Sequence, residues 1–321
     1  RGATATAAKG SVMPRAKTLA LSLCLVACVA SPAVAAKRSY VSASGDDANP
    51  CSLSAPCRTL AAAIAITSAS GEVVVLDSGA YGVVTIDKAL SIVAPAGVYA
   101  GILATSGTGV LVTAGASDKV TLRGLSISGQ GTGTAGIQAT SVGTLIIDRC
   151  TVTGFVCSFL CGNGLTFVAP NSHLVVKDST FDDNHYGIGI YNATGNVRAS
   201  IDGVHADRNG VGFDIGPQTA GTVDATITNS TASSGGVGFS NTDHGGTSHA
   251  TMNLDRCVAA NNTTAGVSTN DANAASETRI SNCTITGAAS AVVKNNAGAL
   301  YTRQNSLVEG AAAAATFLSP Y

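Results

Sequence analysis

The chain has 321 residues, and its 18 Lys and Arg residues nearly balance its 19 Asp and Glu residues, for a net charge of −1. With no basic run and no tryptophan, this composition argues against nucleic acid as a partner. Hydrophobic residues make up 45% of the chain, and glycine contributes 37 residues. We therefore expect a turn-rich protein of one or two domains with enough apolar surface for a core.

An export signal is predicted within residues 1–36. Met13 opens the basic segment MPRAK, and the thirteen-residue apolar run TLALSLCLVACVA follows, too short to span a membrane. Ala33 and Ala35 then form the A-x-A pattern that signal peptidase cleaves. The residues before Met13 are expected to lie upstream of the natural start. LVAC also fits a lipoprotein cleavage site, which would anchor the product by a lipid on Cys28.

Either cleavage predicts an exported protein that is secreted, periplasmic or held in the cell envelope, with no transmembrane span in the mature chain. Four cysteines of that chain lie in two short loops, Cys51 and Cys57 in NPCSLSAPC and Cys157 and Cys161 in CSFLC. In an oxidising compartment each loop predicts a local disulfide. Zinc is the weaker alternative, because no further ligands follow at metal spacing.

The remaining three cysteines of the exported chain mark a repeat. Cys150, Cys257 and Cys283 occupy the same position in IDRCTVTG, LDRCVAAN and ISNCTITG. The same frame recurs in LRGLSISG, VKDSTFDD, IDGVHADR and ITNSTASS, at intervals of 25 to 29 residues. A second track of glycine-led triplets, which includes GIQ, GLT, GIG and GFD, runs in step with it. We expect the three cysteines to point into the interior as packed free thiols.

A period of this length, built from short alternating runs and glycine turns, predicts an all-β solenoid. Leucine-rich repeats share the period, but the chain lacks their leucine-dense consensus. At the usual spacing of 4.7–4.9 Å between strands, about 9–10 coils would form a rod of some 45 Å.

The segment SYVSASGDDANPCSLSAPCRTLAAAIAI, Ser39 to Ile66, resembles the N-terminal segment of exported bacterial right-handed parallel β-helix proteins of the pectin-lyase-like superfamily. That resemblance implies a right-handed parallel β-helix with a short N-terminal helix that caps the first coil. Leu60, Ala63 and Ile64 would form the apolar face of this helix, and Gly71 would end it.

The expected organisation is therefore a cap segment over 37–71, a parallel β-helix over 72–310 and a C-terminal tail over 311–321. The superfamily includes polysaccharide lyases, hydrolases, epimerases and adhesins, and we match none of the longer signatures of its lyases or polygalacturonases. The resemblance therefore indicates a fold without indicating a specific enzyme family.

Two carboxylates are expected side by side on the outside of the coils. FDDN aligns with ADRN of the next coil without a gap, which places Asp182 beside Asp207 and Asp183 beside Arg208. Carboxylates about 5 Å apart share a proton, bind a cation or turn into solvent. His205 lies on the same outward face, two residues before Asp207.

Acids beside a base resemble the arrangement in pectate lyases, where acidic side chains hold Ca²⁺ against the sugar carboxylate and an arginine removes a proton. The resemblance implies Ca²⁺ ligands at Asp182, Asp183 and Asp207, with Arg208 or His205 as the catalytic base. A solvated pair of turns is the alternative, because no second acidic cluster completes a Ca²⁺ shell.

Sugar-contacting candidates lie nearby. Tyr186 and Tyr191 are the only aromatic residues close enough to stack on a sugar ring, and Asp214 is expected beside Gly189 of the preceding coil. Together with Asp182 and Asp207, these residues form the predicted substrate-binding set.

Two main classes of function follow. A secreted or cell-envelope module that binds a polysaccharide, a cell-surface glycan or another surface partner without catalysis is favoured, because the polar columns are mostly Thr, Ser, Asn and Gly. The alternative is an enzyme on acidic polysaccharide, a Ca²⁺-dependent lyase, a hydrolase or an epimerase. Columns of stacked Thr side chains also suggest an ice-binding protein, but Asp182, His205 and Asp207 interrupt those columns. The sequence indicates no oligomeric state.

Overall fold

The computed structural model describes residues 1–5, 36–156, 161–243, 247–271, 276–310 and 316–318. The chain divides into two units, Arg1–Val34 and Ala35–Tyr321. Of the first unit only residues 1–5 are described, and they are exposed and without regular secondary structure. The predicted export signal and Cys28 therefore lie outside the described residues.

In its described part, the second unit contains one short helix and 29 strands. The first elements are β1 (Ala36–Val41), α1 (Leu60–Ile66), β2 (Thr67–Val75), β3 (Gly79–Ala80), β4 (Val84–Ile86), β5 (Leu90–Val93), β6 (Ala100–Leu103), β7 (Thr108–Thr113), β8 (Lys119–Arg123), β9 (Leu125–Ser128), β10 (Ala135–Ser141), β11 (Thr144–Asp148), β12 (Thr151–Thr153), β13 (Asn163–Phe167), β14 (Ser172–Lys177) and β15 (Thr180–Asp182). They are followed by β16 (Tyr186–Ile190), β17 (Thr194–Asp202), β18 (Val211–Ile215), β19 (Ala220–Thr228), β20 (Val237–Thr242), β21 (His249–Asp255), β22 (Val258–Ala260), β23 (Ala265–Asp271), β24 (Glu277–Ser281), β25 (Thr284–Thr286), β26 (Ser290–Asn296), β27 (Ala299–Arg303), β28 (Leu307–Val308) and β29 (Thr316–Leu318).

The strands form sheets of twelve, nine, five and three strands. The twelve-stranded sheet has the order β1-β2-β5-β8-β11-β14-β17-β19-β21-β24-β27-β29, and the nine-stranded sheet has the order β26-β23-β20-β18-β16-β13-β10-β7-β4. Neighbouring strands of a sheet come from successive coils and pair in parallel, as in β10 with β13 and β13 with β16. The chain therefore winds as a parallel β-helix.

The third face of the solenoid is interrupted. The five-stranded sheet ends at β15, and the three-stranded sheet begins at β22. Between them, only isolated bridges join Thr180 to His205, His205 to Thr231 and Thr231 to Val258. The coils at this interruption therefore depend on side chains for part of their hydrogen bonding.

The capping helix α1 forms where it is predicted. The Thr59 side chain accepts a hydrogen bond from the Ala62 backbone N–H at 3.2 Å, and Leu60, Ala63 and Ile64 are buried as expected. The predicted helix end at Gly71 is wrong, because Thr67 is already extended. Its hydroxyl donates to the Ala63 carbonyl at 2.6 Å, so the last turn is closed before the glycine.

The cysteines follow the prediction where they are described. Cys51 and Cys57 form a disulfide, and Cys150, Cys257 and Cys283 are buried free thiols. Burial raises the pKa of the Cys150 thiol to about 11, which makes it unreactive at neutral pH. Cys161 is disulfide-bonded, whereas its predicted partner Cys157 lies outside the described residues.

The interior consists mainly of Val, Ile, Leu, Phe and Ala, with buried asparagines at the turns. Asn209 accepts a hydrogen bond from the Asn184 backbone N–H at 2.8 Å and donates to the Phe181 carbonyl at 2.7 Å. Asn262 is buried in the same way and donates to the Ala232 carbonyl at 2.9 Å. These amides satisfy backbone groups that the strands leave unpaired, so the turns can be buried.

Candidate functional site

The predicted pair Asp182 and Asp207 lies on the interrupted face, in the predicted register. Asp182 ends β15, and the bridge between Thr180 and His205 aligns its coil with the next one. The Asp182 carboxylate accepts a hydrogen bond from the Asp207 backbone N–H at 2.9 Å. The two acids are thus linked by a backbone contact.

The same contact repeats along the face. The Asp207 carboxylate accepts from the Ser233 backbone N–H at 2.7 Å, and the Ser233 hydroxyl accepts from the Ala260 backbone N–H at 3.1 Å. Asp182, Asp207 and Ser233 therefore form a ladder of acceptors, each bound to the coil that follows. This ladder spans the interruption between the five- and three-stranded sheets, where strand pairing is reduced to isolated bridges, so these side chains support the fold.

Arg208 is bound to two carboxylates. Its guanidinium donates to Asp183 at 2.8 Å through Nε and to Asp182 at 3.1 Å through Nη2. The hydrogen bond and the charge of Asp183, and then the charge of Asp182, raise the pKa of Arg208 further above its ordinary value. Loss of a proton from Arg208 is therefore even less favourable, which weakens its predicted role as a base. His205, the other predicted base, contacts the Thr231 hydroxyl at 3.0 Å through Nδ1.

The predicted Ca²⁺ ligands have most of their oxygens directed at hydrogen-bond donors. Asp182 faces the Asp207 N–H and Arg208, and Asp183 directs both oxygens at Arg208. Within the described ranges, no group of three or more His, Cys, Asp or Glu residues is arranged to hold a metal ion. This arrangement does not fit Ca²⁺, and the metal site stays a prediction.

Burial raises the pKa of Asp182, and the charge of Asp207 adds to this effect. The hydrogen bond from the Asp207 N–H and the charge of Arg208 oppose it without cancelling it. Relative to its protonated form, ionised Asp182 is therefore less favoured in the folded protein than in the unfolded chain, in spite of its ion pair.

The other predicted residues lie on a different face. Tyr186, Tyr191 and Asp214 line a cavity of about 430 Å³ on the outside of the nine-stranded sheet. We call it the tyrosine cavity. Its described lining residues are Thr134, Ala135, Gln138, Cys161, Asn163, Thr166, Val168, Tyr186, Tyr191, Asp214 and Gln218.

Strand register builds the floor of the tyrosine cavity. Gln138 pairs with Thr166, Thr166 with Gly189 and Gly189 with Asp214, so these residues form one column across four coils. Gly189 has no side chain, and the ring of Tyr191 occupies the space that a Cβ would take. The glycine therefore allows the aromatic ring to lie against the sheet.

The two tyrosines and the carboxylate form a connected group. The Tyr191 hydroxyl donates to Asp214 Oδ2 at 3.0 Å. The rings of Tyr186 and Tyr191 meet edge to face, with centroids 6.4 Å apart. These two rings form the aromatic wall of the cavity. Because Asp214 fixes the Tyr191 hydroxyl, the wall is already ordered without a ligand.

The described lining of the tyrosine cavity contains one carboxylate, that of Asp214. Asp214 is only 7% exposed. Burial, followed by the charge of Asp214, raises the pKa of Tyr186, and the same causes raise that of Tyr191 well above its ordinary value. None of the described lining residues is Lys, Arg or His.

Asn163 adds a hydrogen-bonding group to the wall. Its Nδ2 donates to the Thr166 hydroxyl at 2.8 Å, while its Oδ1 is buried and has no hydrogen-bond partner. A buried carbonyl oxygen without a donor costs free energy. A ligand that brings an O–H or N–H group to this position would satisfy it.

Sequence reasoning identified only part of this cavity. It named Tyr186, Tyr191 and Asp214 but missed Gln138, Thr166, Asn163 and Gln218. The signal for two of these was present, because Gln138 and Thr166 are third residues of the glycine-led triplets GIQ and GLT, as Asp214 is of GFD. Those third positions form the outward column.

A second, more open cavity of about 690 Å³ lies beside α1 and is lined by Ala61, Ile64, Ala65, Val83, Val84, Thr85, Asp87, Lys88, Thr108 and Leu111. It has no aromatic wall and contains none of the predicted site residues. Its size alone gives no indication of a ligand.

Comparison with known proteins supports the fold. A family model described as "Right handed beta helix region" matches residues 62–232. The structure of pectate lyase Pel9A is similar, with a TM-score of 0.65, 17% identity and coverage of 90% of this chain and 79% of that chain. A GH136 lacto-N-biosidase from Eubacterium ramulus has a TM-score of 0.46, 12% identity and coverage of 88% and 67%. No curated protein sequence matches.

The family match and the strand topology confirm the predicted right-handed parallel β-helix. At such low identities the structural likeness shows the fold alone. Within the described residues, no helix is long and apolar enough to cross a membrane.

We expect Asp182→Asn to stabilise the protein at neutral pH. The pKa of Asp182 is raised in the folded state, so folded Asp182 binds its proton more tightly than Asp182 of the unfolded chain. The bound proton therefore stabilises the folded state, and this contribution is fully present below the unfolded-state pKa. The contribution is lost as pH rises through the folded-state pKa. The free energy of unfolding of the Asn variant should therefore exceed that of the wild type at neutral pH. The difference should fall to zero as the pH drops below the folded-state pKa and then the unfolded-state pKa of Asp182.

Urea unfolding at several pH values measures this difference. Asp183→Asn is the matched control, because Asp183 contacts the same arginine but its side chain is 51% exposed. An Asp182→Asn variant that is less stable than the wild type at every pH would show that the ion pair outweighs burial.

Proposed function

The chain belongs to the right-handed β-helix family, and within that family we propose that it is an exported glycan-binding protein. The tyrosine cavity on the nine-stranded sheet is the proposed binding site. The proposal rests on the arrangement of two aromatic rings. Tyr186 and Tyr191 contact each other edge to face, and the Tyr191 hydroxyl is hydrogen-bonded to the buried carboxylate of Asp214.

The cavity has the features that a sugar requires. Aromatic rings offer a flat apolar face for the C–H groups of a sugar, and a carboxylate accepts hydrogen bonds from its hydroxyl groups. A volume of about 430 Å³ falls in the usual range for small-ligand sites. Gln138, Asn163 and Thr166 add polar groups that would orient the ring.

Binding without catalysis agrees best with the chemistry of the cavity. Glycoside hydrolases use, in most families, two carboxylates that flank the scissile bond. Asp214 is the only carboxylate among the described lining residues. The described lining therefore supplies a hydrogen-bond acceptor but lacks the acid–base pair that hydrolysis usually needs.

The alternative is a Ca²⁺-dependent lyase on acidic polysaccharide, centred on Asp182, Asp183 and Asp207. The fold likeness to pectate lyase Pel9A is compatible with it. It has less support than binding, because Arg208 is held as a cation by its ion pairs and the acids accept hydrogen bonds that stabilise the coils.

We expect Tyr191→Ala and Tyr186→Ala each to weaken glycan binding by about tenfold or more, because each substitution removes a stacking surface. A glycan array would identify the oligosaccharide that binds best, and titration calorimetry would measure its Kd. Tyr99→Ala is the matched control, since Tyr99 is 52% exposed and does not line the cavity. Equal affinities of all three variants and the wild type would exclude this cavity as the site.

We expect Gly189→Val to weaken binding of the same oligosaccharide while the fold is retained. A side chain at Gly189 would overlap the Tyr191 ring and push it away from Asp214. Ser268→Val is the control, because Ser268 continues the same column through Ser240 but does not line the cavity. Circular dichroism would check the fold, and undiminished affinity of Gly189→Val would contradict the assigned position of Tyr191.

A further inference from the structure

We propose that Cys257 and Cys283 form a disulfide bond between two successive coils when the chain folds in an oxidising compartment. The inference is independent of the tyrosine cavity, because the two cysteines directly precede β22 and β25 of the three-stranded sheet. The structure shows both residues as thiols, which is the reduced form of the pair.

Strand register places the two cysteines next to each other. Val258 pairs in parallel with Thr284, so the residues directly before them are neighbours in adjacent coils. The Thr284 backbone N–H donates to the Cys257 carbonyl at 2.9 Å, which holds the two chains together at this point. Strands of one sheet lie about 4.8 Å apart, and a disulfide joins residues whose Cα atoms are roughly 4.4–6.8 Å apart. The spacing between the coils therefore suits a disulfide.

The two cysteines are also in direct contact. The Cys257 backbone N–H donates to Cys283 Sγ at 3.4 Å. The hydrogen bond from the Cys257 side chain lowers the pKa of the Cys283 thiol, although burial opposes this effect. Because the thiolate is the form that attacks a disulfide, this contact favours exchange at Cys283.

Cys150 lies in the same interior column but has no cysteine in either neighbouring coil. The register of β12 with β9 and with β15 places it between Leu125 and Ser179. Its backbone N–H donates to the Ser179 hydroxyl at 3.1 Å, where Cys257 has the sulfur of Cys283. The coils therefore bring two of the three buried cysteines together and leave Cys150 as a thiol.

Burial determines when the bond forms. Cys257 and Cys283 are only 2% and 3% exposed, so the folded coils shield both sulfurs from an oxidant. Exchange therefore takes place while the coil of Cys283 docks on the coil of Cys257.

The oxidant is a small-molecule disulfide such as oxidised glutathione. One cysteine thiolate attacks it, forms a mixed disulfide and releases one glutathione thiolate. The second cysteine thiolate then attacks the mixed disulfide, forms the Cys257–Cys283 bond and releases the other glutathione thiolate. The two cysteine protons pass to the two released thiolates, so the pair loses two electrons and the oxidant gains them.

The bond would strengthen the C-terminal end of the solenoid. It joins residues 26 apart in sequence, in a sheet that consists of β22, β25 and β28. Closing this loop restricts the unfolded chain and so favours the folded state.

The test refolds the full chain in a mixture of oxidised and reduced glutathione. The protein would first be unfolded in urea with a reductant, and after refolding the remaining thiols would be alkylated. Cleavage after Lys and Arg separates the two cysteines, because Arg256, Arg279 and Lys294 bound the peptides 257–279 and 280–294. Mass spectrometry would detect the two peptides as one linked species, about 2 Da lighter than the sum of the reduced peptides.

We expect the linked species in most of the refolded wild type, with Cys150 alkylated in the same sample. Cys283→Ser and Cys257→Ser should each lose the link and still fold, since Ser179 and Ser230 occupy the same column. Oxidation should raise the Tm of the wild type by roughly 5 °C more than that of Cys283→Ser. Cys150→Ser is the matched control and should keep the full rise.

Two results would overturn the inference. Alkylation of both Cys257 and Cys283 after refolding would show that the coils keep them as thiols under oxidising conditions. A link from either residue to Cys150, or between two molecules, would show that register does not select the partner. The wild-type peptides alone distinguish these results from the expected one, so the decision does not require the serine variants to fold.

Discussion

Parallel pairing between successive coils is the constraint on which the structure depends. Each strand is held by one neighbour about 25 residues earlier in the chain and another about 25 residues later, as in the pairings of Thr166 with Gln138 and with Gly189. Residues far apart in sequence therefore lie beside each other at one strand spacing. The column of Gln138, Thr166, Gly189 and Asp214 exists only because this register is kept through four coils.

The same constraint explains why neighbouring acidic residues in this fold need not indicate a catalytic or metal-binding site. A coil that loses strand pairing must still satisfy its backbone N–H groups. Asp182, Asp207 and Ser233 do this across the interrupted face, and buried asparagines such as Asn209 do it at the turns. The interruption thus accounts for a pair of acids that would otherwise suggest a metal site.

The repeat frame was sufficient to predict what depends on register alone: the solenoid, the burial of Cys150, Cys257 and Cys283, and the alignment of Asp182 with Asp207. It could not predict contacts that depend on side-chain direction. Arg208 reaches across to two carboxylates, and Tyr191 folds back over Gly189, because of local side-chain conformations that alternation along a strand does not determine. The end of α1 was missed for a similar reason, since the Thr67 hydroxyl closes the last turn.

The central claim is that a sugar binds against Tyr186 and Tyr191 beside Asp214. The most direct measurement is a crystal structure of the protein with the tightest-binding oligosaccharide. The account predicts sugar density in the tyrosine cavity, with a ring on the aromatic wall and a hydroxyl within hydrogen-bonding distance of Asp214. Density on the face of Asp182 and Asp207, with the cavity empty, would contradict it.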